Sequence, residues 1–265
     1  MQIMGILNVT PNSFSDGGRY TDPEVAIEHG RTLIEHGASI IDIGGESTRP
    51  GAEPVPAERE WDRIADVVAT LAKETTVSVD TYHAYTARKS VEAGAHIVND
   101  VTGGQGDPDM FATVAGLDCD YILQHGRGNA RSMNDLASYD DVVATVREEL
   151  LGSRDAAVAA GIAPERIILD PGLGFAKVGD QDWQVLRGVD AFLGEGHQVL
   201  IGQSRKRFLS PVTVNEERDV ASAVISGLLA GTGVWAVRVH NVAATRTALN
   251  VHAAMLAGGV SSDDE

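Results

Sequence analysis

Eight times along this chain a short apolar run stops at a polar or glycine-rich stretch, and that recurrence limits its fold more than any other feature. The runs are residues 2–7, 39–43, 76–79, 96–98, 120–123, 166–169, 199–201 and 236–239. Runs this short, rich in Val, Ile and Leu and bounded by turn residues, read as fully buried strands. Helical patterns lie between them, at residues 23–36, 57–73, 139–160, 219–229 and 242–255. The first opens on Thr21 and Asp22 as a cap, with Pro23 in the first helical position. The second places Trp61, Ile64, Val67, Val68 and Leu71 on one stripe. Gly37, Gly94, Gly161 and Gly196 fall just before strands, where helices should end.

Strand and helix alternating in this way imply parallel strands. Eight such units predict an α/β fold, a (β/α)8 TIM barrel with a parallel eight-stranded core. An open doubly wound sheet is the alternative. It would want a Gly-rich dinucleotide turn after the first strand, and residues 5–8 do not supply one. The length of 265 residues suits a single barrel. No linker or low-complexity segment divides the chain, so residues 1–257 read as one domain and 258–265 as a short acidic, disordered tail.

Composition narrows the partners. Aromatics make up only 5% against 43% hydrophobic residues, as a core of aliphatic parallel strands requires. A net charge of -17 argues against nucleic acid and against an anionic membrane surface. The single cysteine, Cys119, excludes an internal disulfide and suits a reducing cytoplasm. The first residues lack the pattern of a targeting signal. Residues 220–237 carry no charge, but Gly231 and Gly233 interrupt them, so they read as a buried helix, a turn and a strand rather than a membrane span.

The chemistry of a barrel gathers at the C-terminal ends of its strands, and this sequence places its unusual residues there. They include Asn8, Asp80, Asn99 with Asp100, Gln124 with His125 and Arg127, Asp170-Pro-Gly172, Gly202 to Lys206, and Arg238 with His240. Taken singly, each has an ordinary reading. Asp80 could cap a helix, Asp170-Pro-Gly172 is a common turn, and Asn99-Asp100 could satisfy local backbone groups. The triplet Arg205, Lys206, Arg207 could be a solvated loop. Together on one rim they point to a site. Asp80, Asn99 and Asp170 offer acceptors and a donor, with Lys206 as a cation, a set suited to a flat heterocycle with amide and amino edges. Arg238, His240 and Asn8 suit a phosphate or diphosphate. Mg2+ could join through the Asn8 oxygen and the phosphates, because it needs few protein ligands. A Ser-His-Asp hydrolase is disfavoured, since no Gly-x-Ser-x-Gly elbow occurs.

The motifs bring the chain close to a known family. In order they are Gly5-Ile-Leu-Asn-Val-Thr-Pro-Asn-Ser-Phe-Ser-Asp-Gly-Gly18, Asp42-Ile-Gly-Gly-Glu-Ser-Thr-Arg-Pro-Gly51, Ser78-Val-Asp-Thr81, Val98-Asn-Asp-Val101, Leu169-Asp-Pro-Gly172, Ser204-Arg-Lys-Arg-Phe208 and Val237-Arg-Val-His240. Over residues 2–254 the sequence resembles the dihydropteroate synthases. The resemblance implies a folate-pathway transferase that joins 6-hydroxymethyl-7,8-dihydropterin diphosphate to p-aminobenzoate, with Mg2+ as cofactor. By that resemblance Asp80, Lys206 and Arg238 are catalytic. Asp80, Asn99, Asp170 and Lys206 hold the pterin, with Gly202, Phe175 and Gln124 around it. Asn8, Arg238, His240 and Arg49 take the diphosphate, and Asn8 the metal. Phe14, Thr48, Arg49, Pro50, Ser204 and Lys206 border the p-aminobenzoate pocket, where sulfonamides compete. Residues 12–18 and 46–51 are expected to be mobile lids, and the protein a cytoplasmic homodimer packed through its late helices. Two positions depart from the family pattern: Gln124, commonly Met, and Asn241, usually Asp. Two rivals stay open, a methyltetrahydrofolate-binding methyltransferase domain and a weakly active or non-catalytic pterin-binding paralogue. The first would not need the Ser204–Arg207 cluster, the Arg238/His240 pair or the Thr48-Arg49-Pro50 loop.

Overall fold

The computed structural model describes residues 1–10, 22–47, 54–128, 132–214 and 217–258. Its strands are β1 Gln2–Asn8, β2 Ile40–Gly44, β3 Thr76–Asp80, β4 Ile97–Asp100, β5 Asp120–Gln124, β6 Ile167–Asp170, β7 Gln198–Ile201 and β8 Ala236–Val239. They pair in sequence order, all parallel, and β8 pairs back to β1, so the sheet is a closed barrel. The expected strands all occur. Most run one residue further than their apolar stretch suggests, because the ladder continues through the polar residue at the mouth. Asn8 pairs with Gly44, Gly44 with Asp80, Asp80 with Asn99, and Gln124 with Asp170.

Strand side chains alternate faces, and the barrel turns this into two separate cores. Ile41, Ile43, Val77, Val79, Val98, Tyr121, Leu123, Leu169, Val199, Ile201, Val237 and Val239 point outward and pack beneath the helices. The other parity points inward. Met4, Ile40, Ile97, Ile122, Ile168, Leu200 and Ala236 form a small apolar plug. Two residues further along most strands the inward positions turn polar, at Asp42, Ser78, Asn99, Gln124, Asp170 and Arg238, while β1 stays apolar at Ile6 until Asn8 and β7 reaches Gly202.

Among the described residues the helices are α1 Pro23–Glu35, α2 Ala57–Leu71, α3 Ala84–Glu92, α4 Met110–Ala115, α5 Val142–Ala159, α6 Gln181–Arg187, α7 Asp190–Leu193, α8 Arg218–Leu229 and α9 Val242–Leu256. Asp22 caps α1, accepting from Glu24 N at 3.0 Å, and Pro23 opens it. Helices α3, α4, α6 and α7 left no apolar stripe in the sequence. They are short, and α3 buries only Ala84, Thr86, Ala87 and Ser90 against the barrel. Gly37, Gly94, Gly161 and Gly196 all take positive φ, as the expected helix ends require.

The uncharged stretch 220–237 is helix, turn and strand as expected. No described helix is long and apolar enough to cross a membrane. The helix itself departs from expectation. It is not buried all round, since Val220, Val224 and Leu228 are 55%, 55% and 74% exposed. They recur every fourth residue and so form one outward stripe. Val251, Met255 and Leu256 of the adjacent α9 are exposed as well.

Candidate active site

The inward positions at the C-terminal rim are Asn8, Asp42, Gly44, Asp80, Asn99, Gln124, Asp170, Gly202 and Arg238, each two or four residues above the apolar plug or its level. Arg238 is the hub. Its Nε donates to Asp42 Oδ2 at 2.6 Å and its Nη2 to Asp80 Oδ2 at 2.7 Å. Asn99 Nδ2 donates to the same Asp42 oxygen at 3.2 Å. Asp42 is fully buried, Asp80 and Asn99 nearly so. Burial opposes the charge on Arg238, but Asp42 and Asp80 outweigh it and raise its pKa. Burial pushes the Asp80 carboxyl up to about 7, with Arg238 pulling the other way.

Gly202 lies among the remaining groups. A Cβ there would stand 3.7 Å from Asp170 Oδ2, 3.8 Å from Lys206 Nζ and 3.9 Å from Arg238 Cβ. One at Gly44 would stand 3.7 Å from both Asn8 Oδ1 and Asp80 Cβ. The two glycines thus keep open the space onto which Asn8, Asp80, Arg238, Asp170 and Lys206 converge. Lys206 donates to Leu173 O and holds its Nζ 4.8 Å from the Phe175 ring centre. Burial lowers its pKa to about 8, against the attraction of Asp170. Asp170 serves two ends. Its Oδ1 accepts from Gly172 N at 2.7 Å, closing the turn, while Oδ2 faces the mouth. Burial raises its pKa and Lys206 opposes the rise.

Other expected site residues are placed as follows. Ser204 Oγ lies 2.9 Å from His240 Nδ1 and accepts from His240 N at 3.1 Å, so these two bind each other. Gln124 is buried on β5 and donates from Nε2 to Val101 O at 3.2 Å. Phe14, Thr48, Arg49 and Pro50 lie outside the described residues, as do residues 12–18 and most of 46–51. The basic triplet divides. A left-handed backbone at Arg205, φ 56, turns its guanidinium to Asp219, with Nε 2.6 Å from Oδ1 and Nη2 2.7 Å from Oδ2. Arg207 is exposed, and only Lys206 turns inward. Asp80 does not cap a helix, since the residue before α3 is His83. Asp100 faces outward and accepts from Tyr121 Oη, Thr102 N, Thr102 Oγ1 and Gly104 N at 2.7 to 2.9 Å, which is the local satisfaction its position allowed.

Three residues have no individual role assigned from the sequence. Asp42 has the inward parity of an apolar strand, and a charge there demands a buried partner. That parity was the available signal. Glu46, nearly buried, accepts from Tyr82 Oη at 2.5 Å and faces His83 Nε2 at 3.3 Å, and this contact raises the His83 pKa. Lys177 lies behind the β6 loop, where nothing in its neighbours' identities announced a buried cation.

The match to known proteins agrees with this geometry. The model of the pterin binding enzymes matches residues 4–240. The chain belongs to the pterin binding enzyme family. Within that family it is 46% identical over 269 residues to the dihydropteroate synthase of Mycobacterium leprae, covering 98% of this chain and 95% of that one. It superposes on the dihydropteroate synthase of Xanthomonas albilineans with 4-aminobenzoic acid at a TM-score of 0.89 and 41% identity, covering 97% and 93% of the two chains. The same enzyme in complex with 7,8-dihydropteroate gives a TM-score of 0.85 and 38% identity, covering 97% and 94%. These relatives are dihydropteroate synthases, and this chain gathers its buried polar residues at the rim where barrel chemistry is done.

Proposed function

We propose that this chain condenses 6-hydroxymethyl-7,8-dihydropterin diphosphate with p-aminobenzoate to give 7,8-dihydropteroate and diphosphate. The observation that carries the proposal is the mouth itself. Carboxylates at Asp80 and Asp170 and an amide at Asn99 border cations at Arg238 and Lys206 around the open space at Gly202. A pterin ring offers a matching edge of amide and amino groups, and a diphosphate needs cations where it departs.

In this reading Asp170, Asn99 and Lys206 grip the ring, with Gly202, Phe175 and Gln124 around it. The bond between the pterin methylene carbon and the diphosphate oxygen breaks first, its electron pair leaving with the oxygen. Arg238, with His240, Asn8 and Arg49, stabilises the departing anion. Asp80, held at 2.7 Å by Arg238, stabilises the cation that develops on the pterin. The amine of p-aminobenzoate, in a pocket bordered by Phe14, Thr48, Arg49, Pro50, Ser204 and Lys206, then attacks the methylene carbon and releases a proton. Holding the two reactants in line contributes much of the rate.

Mg2+ fits one side of the mouth. Asn8 presents a neutral oxygen there, next to Asp80. The described residues hold no cluster of metal-binding side chains, so most of the coordination would come from diphosphate oxygens and water, as Mg2+ prefers. When bound, the ion neutralises charge on the leaving diphosphate. The exposed stripe on α8 with its neighbours on α9 suits a homodimer interface, and the acidic surface suits a cytoplasmic protein without a nucleic-acid or membrane partner. Residues 1–257 would carry the whole activity as one domain.

The test is diphosphate release by purified protein given both substrates and Mg2+, with 7,8-dihydropteroate identified by mass spectrometry. Release above background supports the proposal. A folded protein that binds pterin and releases none is a non-catalytic paralogue.

A further inference from the structure

Lys177 is almost completely buried, yet it lies outside the cluster at the mouth. An ammonium has three N–H donors, and the fold supplies three acceptors. Nζ donates to Gly172 O at 2.9 Å and to Phe175 O at 3.1 Å, and lies 3.2 Å from His125 Nδ1. The other nitrogen of that imidazole, Nε2, is 2.9 Å from Glu149 Oε2. A proton on Nε2 donated to the carboxylate leaves Nδ1 as the acceptor Lys177 needs. Glu149 is itself held by Arg127, whose Nε and Nη2 donate to it at 2.9 and 2.5 Å. Arg127 Nη1 ties this end to Leu136 O and Ser138 O at 2.9 and 3.0 Å. The chain of contacts starts at a surface cavity of about 550 Å³ lined by Arg127 and Glu149 and ends beneath the β6 loop.

That loop needs external support. Gly172, Ala176 and Gly174 have φ of 67, 47 and 73°, so three of five consecutive residues are left-handed and one of them is not glycine. Asp182 Oδ1 takes Gly174 N at 2.6 Å and Tyr139 Oη donates to Ala176 O at 2.8 Å. Lys177 holds the two carbonyls between which Leu173 and Gly174 lie. The loop in turn presents the Leu173 carbonyl and the Phe175 ring to Lys206, and the Gly172 amide to Asp170.

We propose that Lys177 is a positioning residue for the reaction: from behind the β6 loop it fixes the shape that aims Lys206 and Asp170 at the pterin. The proposal rests on the reading of Lys206 and Asp170 as pterin-binding groups. The experiment compares the full-length wild type with Lys177→Met, which keeps length and loses every donor, and Lys177→Gln, which keeps an amide donor. Titration calorimetry with 6-hydroxymethylpterin, far below the melting temperature, reads affinity, and steady-state kinetics read kcat and KM for the pterin diphosphate. The expected result is an affinity loss on the order of tenfold in Lys177→Met, expressed mainly in KM, with Lys177→Gln between it and wild type. A folded Lys177→Met with wild-type affinity and KM, even with a lower melting temperature, overturns the proposal. If both variants fail to fold, Glu149→Gln, half-exposed at the outer end, is expected to weaken pterin binding by a smaller factor. Unchanged binding in that variant also overturns the proposal. A wild type that binds no pterin instead overturns the functional reading, so the two failures are distinguishable.

Discussion

Arg238→Ala should cost the fold as well as the reaction. One guanidinium serves two buried carboxylates, Asp42 at 2.6 Å and Asp80 at 2.7 Å. Removing one member of a buried ion pair costs about 3–5 kcal/mol, because the partner is left charged and dry. With two partners stranded the upper end of that range applies, so about 5 kcal/mol is expected at alkaline pH. Domains have roughly 5–15 kcal/mol in all, so the variant should fold but melt early. At about 2–4 °C per kcal/mol for a chain of this size the melting temperature falls by roughly 10–20 °C. The loss must also depend on pH. Burial already lifts the Asp80 pKa to about 7 with Arg238 in place, and without Arg238 it rises further. A carboxyl whose folded pKa exceeds its unfolded value supports folding at low pH and opposes it as pH climbs through the folded value. In the variant Asp80 therefore keeps its proton to a higher pH than in wild type, so the penalty is full at alkaline pH and shrinks as pH falls toward about 6, where Asp80 is protonated in both proteins and no longer needs a cation. Thermal melts followed by circular dichroism, on wild type and variant at both ends of that window, measure it. An equal drop at the two pH values, or one of a few degrees at the higher, would refute the account of Arg238 as the shared counter-ion.

Three further outcomes are expected. Asp80→Asn keeps the acceptor for Arg238 but loses the charge facing the developing cation; its single-turnover rate should fall on the order of 10²–10³-fold while pterin affinity falls less, and the reverse pattern in stopped-flow and binding assays would contradict that role. The profile of kcat/KM against pH should rise as Asp80 ionises near 7 and fall as Lys206 loses its proton near 8; in Lys206→Arg the acid limb should stay and the alkaline limb disappear. Leu228→Glu puts a charge on the exposed stripe of α8; sedimentation should show the wild type as a dimer and the variant as a monomer, with a melting temperature little changed apart from the loss of association.

Much of this was legible because a parallel barrel writes itself into sequence as aliphatic runs with polar ends. The same alternation that buries Val77 and Val79 under helices turns Ser78 and Asp80 inward, so strand parity alone sorts site from core. What stayed hidden was pairing. Sequence puts Arg238 on the rim, but not the fact that it is shared between Asp42 and Asp80 across the barrel mouth. That depends on which inward side chains reach one another over the centre. The short helices were hidden for another reason: α3 is held by Ala, Thr and Ser against the strands, so it needed no apolar stripe. The basic triplet divides because spacing along the chain says nothing of direction. A single left-handed residue, Arg205, sends one charge to Asp219 and leaves its neighbour Lys206 pointing inward.

Asn241 shows how a departure from the family pattern can be absorbed by its surroundings. Its side-chain oxygen caps α9 by accepting from Ala244 N at 3.0 Å, which an aspartate would do equally well. Its amide nitrogen, however, points to Asp219 Oδ2 at 3.5 Å, and Asp219 already carries the twofold contact with Arg205. An aspartate at 241 would set like charges at that distance and compete with Asp219 for Arg205. The neutral amide removes the repulsion and adds a weak donor to the same carboxylate. Asp219, whose pKa is lowered first of all by Arg205, can then stay ionised and hold the turn. The residues flanking Arg205 in that turn are Ser204, which contacts His240, and Lys206, which enters the mouth. The neutral amide at Asn241 thus leaves Asp219 free to serve Arg205 in the loop that carries both groups.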